Sequence, residues 1–101
     1  MVFHEKEGTT IITTLTSAEE NNIVDYAFPC KMITCNVHSS LEAVGFMAAM
    51  TEKLTGLGIG VNPVSGFFHD HLFVPLGRQH EAVTVLEEMA RTAKDKQGDV
   101  A

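Results

Sequence analysis

The chain has 101 residues, 45% of them apolar, and its 7 basic against 13 acidic side chains leave a formal charge of −6. That length holds one modest hydrophobic core and leaves no room for a second full domain. The acidic balance repels phosphate backbones and anionic lipid, so neither nucleic acid nor a membrane is an expected partner.

No apolar run reaches the roughly 18 to 20 residues of a membrane span, and the opening Met1-Val-Phe-His-Glu-Lys-Glu7 carries acids where a signal peptide needs apolar residues. Cys30 and Cys35 are the only cysteines. Five residues apart on an extended segment, they project to opposite faces, so no disulfide is expected between them. Cys35 reads as a small buried hydrophobe. This usage fits a reducing, cytoplasmic compartment.

In chain order, residues 9–16 are almost all β-branched and follow Gly8, which predicts a strand. Residues 17–28 form a connection with about one helical turn, capped by Thr16 or Ser17 and ending at Phe28-Pro29. Residues 30–37 alternate Met32, Thr34 and Asn36 against Ile33, Cys35 and Val37, the pattern of a half-buried strand. From Ser40 to Leu57, the positions Ala43, Met47, Met50, Leu54 and Leu57 mark one face of an amphipathic helix. Ser39 and Glu42 have the spacing of a capping box at its start, and Gly58 suits a left-handed residue at its end. Met47 and Met50 are read as core filler.

Residues 59–66 predict a strand that Pro63 confines to a sheet edge or a bulge. His71–Pro75 is the next strand, reached through a turn at Gly66 to Asp70. A second helix over Arg78–Ala93 carries its apolar stripe at Ala82, Leu86, Met89 and Ala93, and the polar residues 95–101 are expected to fray. Two helices on one face of a four-stranded antiparallel sheet bury these stripes, which is an α+β ferredoxin-like sandwich.

At His38-Ser-Ser-Leu-Glu-Ala-Val-Gly45 and Asn62-Pro-Val-Ser-Gly-Phe-Phe-His-Asp-His-Leu-Phe-Val-Pro75, the chain resembles the small ACT-domain proteins similar to the regulatory tail of aspartate kinases. The resemblance covers about residues 30–92. It implies a βαββαβ unit whose final strand slot is filled here by residues 9–16, beside residues 30–37. Residues 1–94 then form a single ACT-like domain. Family members also look longer, with a preceding half forming a second ACT-like unit that is almost wholly absent here. The surface left open implies a C2 homodimer.

The resemblance further implies sensing of a small molecule, an amino acid or related metabolite, between two ACT units. Carried onto this chain, the ligand-binding corner is His38, Ser39, Ser40, Leu41, Glu42, Ala43 and Val44. Val61, Asn62 and Pro63 of the facing edge strand complete the pocket. The amide groups of such a corner hold a carboxylate without a basic side chain. With no catalytic domain attached, regulation is expected to act in trans.

Each of these residues also has a plainer reading. Ser39 and Glu42 read as a helix cap alone leave an ACT-type assembly module that binds no ligand. His69-Asp70-His71 puts two histidines on one side of an extended segment, a metal pattern without a defined third ligand beyond His38. A hairpin turn explains the triplet as well, so no metal and no cofactor are assigned. His69 and His71 are instead candidates for donating to a ligand carboxylate or to a partner chain. Ser39 or Ser40 with His38 or His71 would make a small hydrolase, but no Gly-x-Ser-x-Gly elbow is present, and the chain is read as a non-enzyme. Phe67 and Phe68 are adjacent, so one is expected in the core and the other at the pocket or the dimer seam.

Overall fold

The Glu5–Gly8 turn starts the structure, because Glu5 and Gly8 exchange backbone hydrogen bonds at 2.9 and 3.3 Å and fold the N-terminus into a local hairpin. Its strands are β1 (Val2–His4) and β2 (Thr9–Ile11), with Phe3 opposite Thr10. The terminal ammonium of Met1 donates to the Ile12 carbonyl at 2.7 Å, and Thr10 Oγ1 donates to Glu5 Oε1 at 2.8 Å. The computed structural model describes residues 1–35 and 45–100, with side chains described through Arg91.

Helix α1 (Leu15–Glu20) begins at Thr14, whose hydroxyl accepts the Ser17 N–H at 3.1 Å. The cap is therefore Thr14, not Thr16 or Ser17, and the expected strand over 9–16 ends at Ile11 because the chain is already turning into this helix. Strand β3 (Cys30–Cys35) follows, then α2 (Phe46–Gly56), β4 (Asn62–Ser65), β5 (Asp70–Pro75) and α3 (Gln79–Val100).

From β3 onward the order is βαββα, and the strands lie as β3-β5-β4 with antiparallel pairs throughout. Ile33 and Pro63 both face Leu72 across β5, and Thr34 and Val64 both face His71. Along β5 the odd–even alternation is complete. Asp70, Leu72 and Val74 are buried beneath the helices, while His71, Phe73 and Pro75 are half-buried on the other face. Leu72 and Val74 pack with Met50 and Leu54 of α2, with Ile59 and with Ala82 of α3, and Ile33, Cys35, Leu86 and Met89 close the rim. One sheet face thus carries both helices, as the ferredoxin-like reading expects.

The placement of the N-terminal strand is corrected. β2 does not fill a slot beside Lys31–Val37; it pairs with β1 in a separate two-stranded sheet, and the main sheet has three strands among the described residues. The reason is loop closure: a tight turn at Glu5–Gly8 brings Val2–His4 to Thr9–Ile11 at little entropic cost, whereas reaching β3 means closing the whole 12–29 segment. β1 had no expectation in the sequence reading. Among the described residues, nothing pairs with the outer edge of β3.

Helix α2 is also shorter than Ser40–Leu57. It starts at Phe46 after Gly45, whose φ of 89° is left-handed and would interrupt a helix entering from Ser40. Ser39 and Glu42, expected to cap the helix, lie outside the described residues. Its C-terminus follows expectation. Gly58 takes φ 70°, the Gly58 N–H donates to the Thr55 carbonyl at 2.9 Å and the Ile59 N–H to the Leu54 carbonyl at 3.0 Å, which is the Schellman arrangement. Leu54 and Ile59, the apolar pair that goes with it, are both buried.

Arg78 ties the helices together at this end. Its Nη2 donates to the Leu57 carbonyl at 3.0 Å and to Glu81 Oε2 at 2.8 Å. Helix α3 continues to Val100, past the expected end at Ala93, through Lys94, Lys96 and Gln97 and without a proline to stop it, although Asp95, Gly98 and Asp99 are weak helix formers.

Candidate functional site

Three strand ends meet at one end of the main sheet. Cys35 closes β3, Asp70 opens β5 and Ser65 closes β4, and the register sets all three side by side. The chain leaves this end at Cys35 and enters α2 after Gly45. His38, Ser39, Ser40, Leu41, Glu42, Ala43 and Val44 lie outside the described residues.

On the helix side, Asp70 is a carboxylate only 7% exposed. Cys35 lies opposite it, half-buried, with its Sγ 3.7 Å from Met50 Sδ. Burial pushes the Cys35 thiol above its ordinary range, and the negative charge of Asp70 adds to the effect. The thiol is thereby held neutral and is a poor nucleophile, as its core role requires. Cys30 stands on the other face of β3 and both cysteines are free, in line with the five-residue spacing.

On the open face of the sheet, Thr34 Oγ1 and His71 Nδ1 share a cross-strand hydrogen bond of 3.0 Å. The bond fixes the ring with its other nitrogen toward the β4–β5 turn. There, a Cβ built on Gly66 would lie 3.5 Å from His71 Nε2 and 3.0 Å from the His69 carbonyl. Gly66 also donates its N–H to that carbonyl at 2.9 Å. A glycine thus lets the turn close against the imidazole.

Phe67 and Phe68 occupy the turn itself, edge to face with centroids 5.0 Å apart, and both are exposed, at 77% and 70%. The expectation that one enters the core fails because a turn does not continue the strand's alternation of faces.

The structure brings His69 and His71 together with Thr34, Cys35 and Asp70 at this end. It does not bring Val61, Asn62 and Pro63 there. Asn62 and Pro63 sit opposite Phe73 and Leu72 toward the far end of β4, and β5 lies between β4 and β3. Asn62 and Pro63 are exposed on β4, an edge strand among the described residues. Thr34, Asp70 and Gly66 were not singled out as site residues, because their convergence depends on cross-strand register.

No group of three or more His, Cys, Asp or Glu side chains that would hold a metal ion occurs among the described residues. A separate open groove of about 640 Å³ lies between the helices, lined by Ala49, Glu52, Lys53, Leu57, Val85 and Met89. It is on the side away from the sheet.

A family model of the ACT domain matches residues 28–88. The chain belongs to the ACT-domain family. A second ACT-domain model matches residues 1–31, the stretch that holds β1, β2 and α1. The hairpin and its helix are therefore ACT-like in their own right, which accords with their separation from the main sheet. ACT domains in general are regulatory, ligand-binding modules.

This ACT chain is also similar to a crystal structure of a Vibrio cholerae protein of unknown function, described as a possible transport protein. The two are 37% identical with a TM-score of 0.78, over 85% of this chain and 65% of the other. The chain thus spans less than two thirds of that relative's length. No curated protein matches it. Among the described residues, no helix of this ACT protein is long and apolar enough to cross a membrane.

Proposed function

We propose that the chain is a regulatory ACT protein of the aspartate-kinase-like kind that reversibly binds a small amino acid or related metabolite and acts in trans, as a cytoplasmic homodimer. The ACT core is residues 30–92. The ligand carboxylate is held by amide groups of the His38–Val44 corner, and His69 or His71 donates a further hydrogen bond. Val61, Asn62 and Pro63 of a second unit complete the pocket.

The observation that carries this reading is the β3-β5-β4 order. It exposes Asn62 and Pro63 on the edge strand away from β3, which supports their facing another ACT unit.

The test is a thermal-shift screen across the twenty amino acids. A ligand at a hundred times its Kd adds about 2.7 kcal/mol of stability. Ser40→Ala is expected to abolish the shift while leaving the unliganded midpoint in place. A screen with no shift for any amino acid would reject sensing and leave a module whose ACT surfaces only assemble.

A further inference from the structure

His71 stands where the open face of the sheet meets the β4–β5 turn. On that face its ring lies between Thr34 of β3 and Val64 of β4, the residues opposite it in the register. The histidine is half-buried, whereas Thr34 is exposed. A cross-strand histidine–threonine contact is not by itself a site, since His4 Nδ1 and Thr9 Oγ1 make one at 3.2 Å in the exposed N-terminal hairpin.

What sets His71 apart is its second nitrogen. Nε2 faces Gly66, where an added Cβ would sit 3.5 Å from it and 3.7 Å from Cδ2. The glycine therefore leaves this flank of the ring without a side chain. His69 holds the glycine in place through its carbonyl, which accepts the Gly66 N–H at 2.9 Å. Two features thus act on one imidazole: Thr34 engages Nδ1 at 3.0 Å, and Gly66 keeps the turn from covering Nε2.

We infer that Thr34 is a positioning residue whose hydroxyl donates to His71 Nδ1, placing the ring proton on Nε2 and making that nitrogen the donor to the ligand carboxylate. This role rests on the binding reading above and deepens it, because it assigns the donor to His71 and not to His69.

The chemistry follows from the two partners. A neutral imidazole has one nitrogen that donates and one that accepts, while a hydroxyl does either. The accepting nitrogen is more basic than a hydroxyl oxygen, so O–H to N is the stronger way to make the contact. The hydrogen bond at one ring nitrogen then decides that the other carries the proton. So set, Nε2 meets an acceptor such as a carboxylate oxygen. In the reverse tautomer it would present a lone pair and repel one. Both strands are fixed in the sheet, so the ring is oriented before a ligand arrives.

The tautomer is read first, in the unliganded chain. Long-range ¹H–¹⁵N correlation spectra, recorded at about pH 8 where imidazole is neutral, are expected to show His71 in the Nε2–H form, with His71→Phe identifying its signals. Thr34→Val is expected to replace that single form by a mixture, and Thr34→Ser to retain it. A natural chain protonated on Nδ1, or a tautomer that Thr34→Val leaves unchanged, would overturn the role of Thr34.

Affinity then ties the ring to binding. For the amino acid among the twenty that raises the melting midpoint most, His71→Phe is expected to weaken binding by about tenfold or more. Thr34→Val is expected to weaken it less, with both unliganded midpoints near that of the natural chain. His71→Gln, whose amide keeps a donor near the place of Nε2, and Thr34→Ser are expected to bind close to normally. If His71→Phe and Thr34→Val bind as tightly as the natural chain, the donor role is overturned while sensing stands. No shift with any of the twenty rejects sensing itself, and the donor role with it.

Discussion

Cys35 shows how far a single residue follows from its neighbours in the chain and where tertiary contacts take over. The alternation Ile33, Cys35, Val37 marked it as inward-facing, and it is half-buried at the core rim. Its protonation, however, is set by burial and by Asp70, 35 residues away. Because the folded thiol titrates above its ordinary value of 9.0, folding favours the protonated form. That contribution to stability is fully present below the unfolded value and is lost as pH rises through the folded one. The thermal midpoint should therefore fall on the alkaline side of pH 9.0, and Cys35→Ala should flatten this limb in a melting series taken against pH. An unchanged alkaline slope would contradict the assignment. Thr34 and His71 make the same point by geometry, since neither residue's local sequence announces their 3.0 Å hydrogen bond.

Among the elements, the end of α2 was legible and its beginning was not. Leu57-Gly58-Ile59 carries its own stop signal, because glycine adopts φ 70° without a Cβ penalty and Ile59 buries its side chain with Leu54. Gly58→Ala should cost about 1 to 2 kcal/mol, read from urea denaturation midpoints. Nothing lies within 4 Å of a Cβ there, so backbone strain alone is tested. At the other end, Ser39-Ser-Leu-Glu42 has the spacing of a capping box, yet α2 starts beyond a left-handed Gly45. A left-handed residue that fixes a helix start is a backbone feature that side-chain spacing does not carry. Strand β5 was anticipated at His71–Pro75 and observed at Asp70–Pro75, with both of its neighbours paired to it. Leu72 has no exposed surface at the centre of that sheet, so Leu72→Ala should destabilise by about 2 to 5 kcal/mol.

At the scale of the whole molecule, the ACT-type core and the separate N-terminal hairpin should behave as distinct stability units. Native-state hydrogen exchange checks this: amides of β1 and β2 should exchange through local opening, while those of β5 should exchange only with opening of the core. A hairpin protected as strongly as β5 would contradict the division. The chain's apolar periodicities, its glycine and proline stops and its two motif segments were enough to determine the α+β class, the two helices, the three strands of the main sheet and the family, because each rests on interactions between near neighbours. Tertiary structure alone decided that Thr9–Ile11 pairs with Val2–His4 and not with β3, and that His69 and His71 share a sheet end with Asp70 while Asn62 and Pro63 do not. Strand partners and register are chosen by competition between distant segments, in which loop closure and burial are weighed over the entire chain.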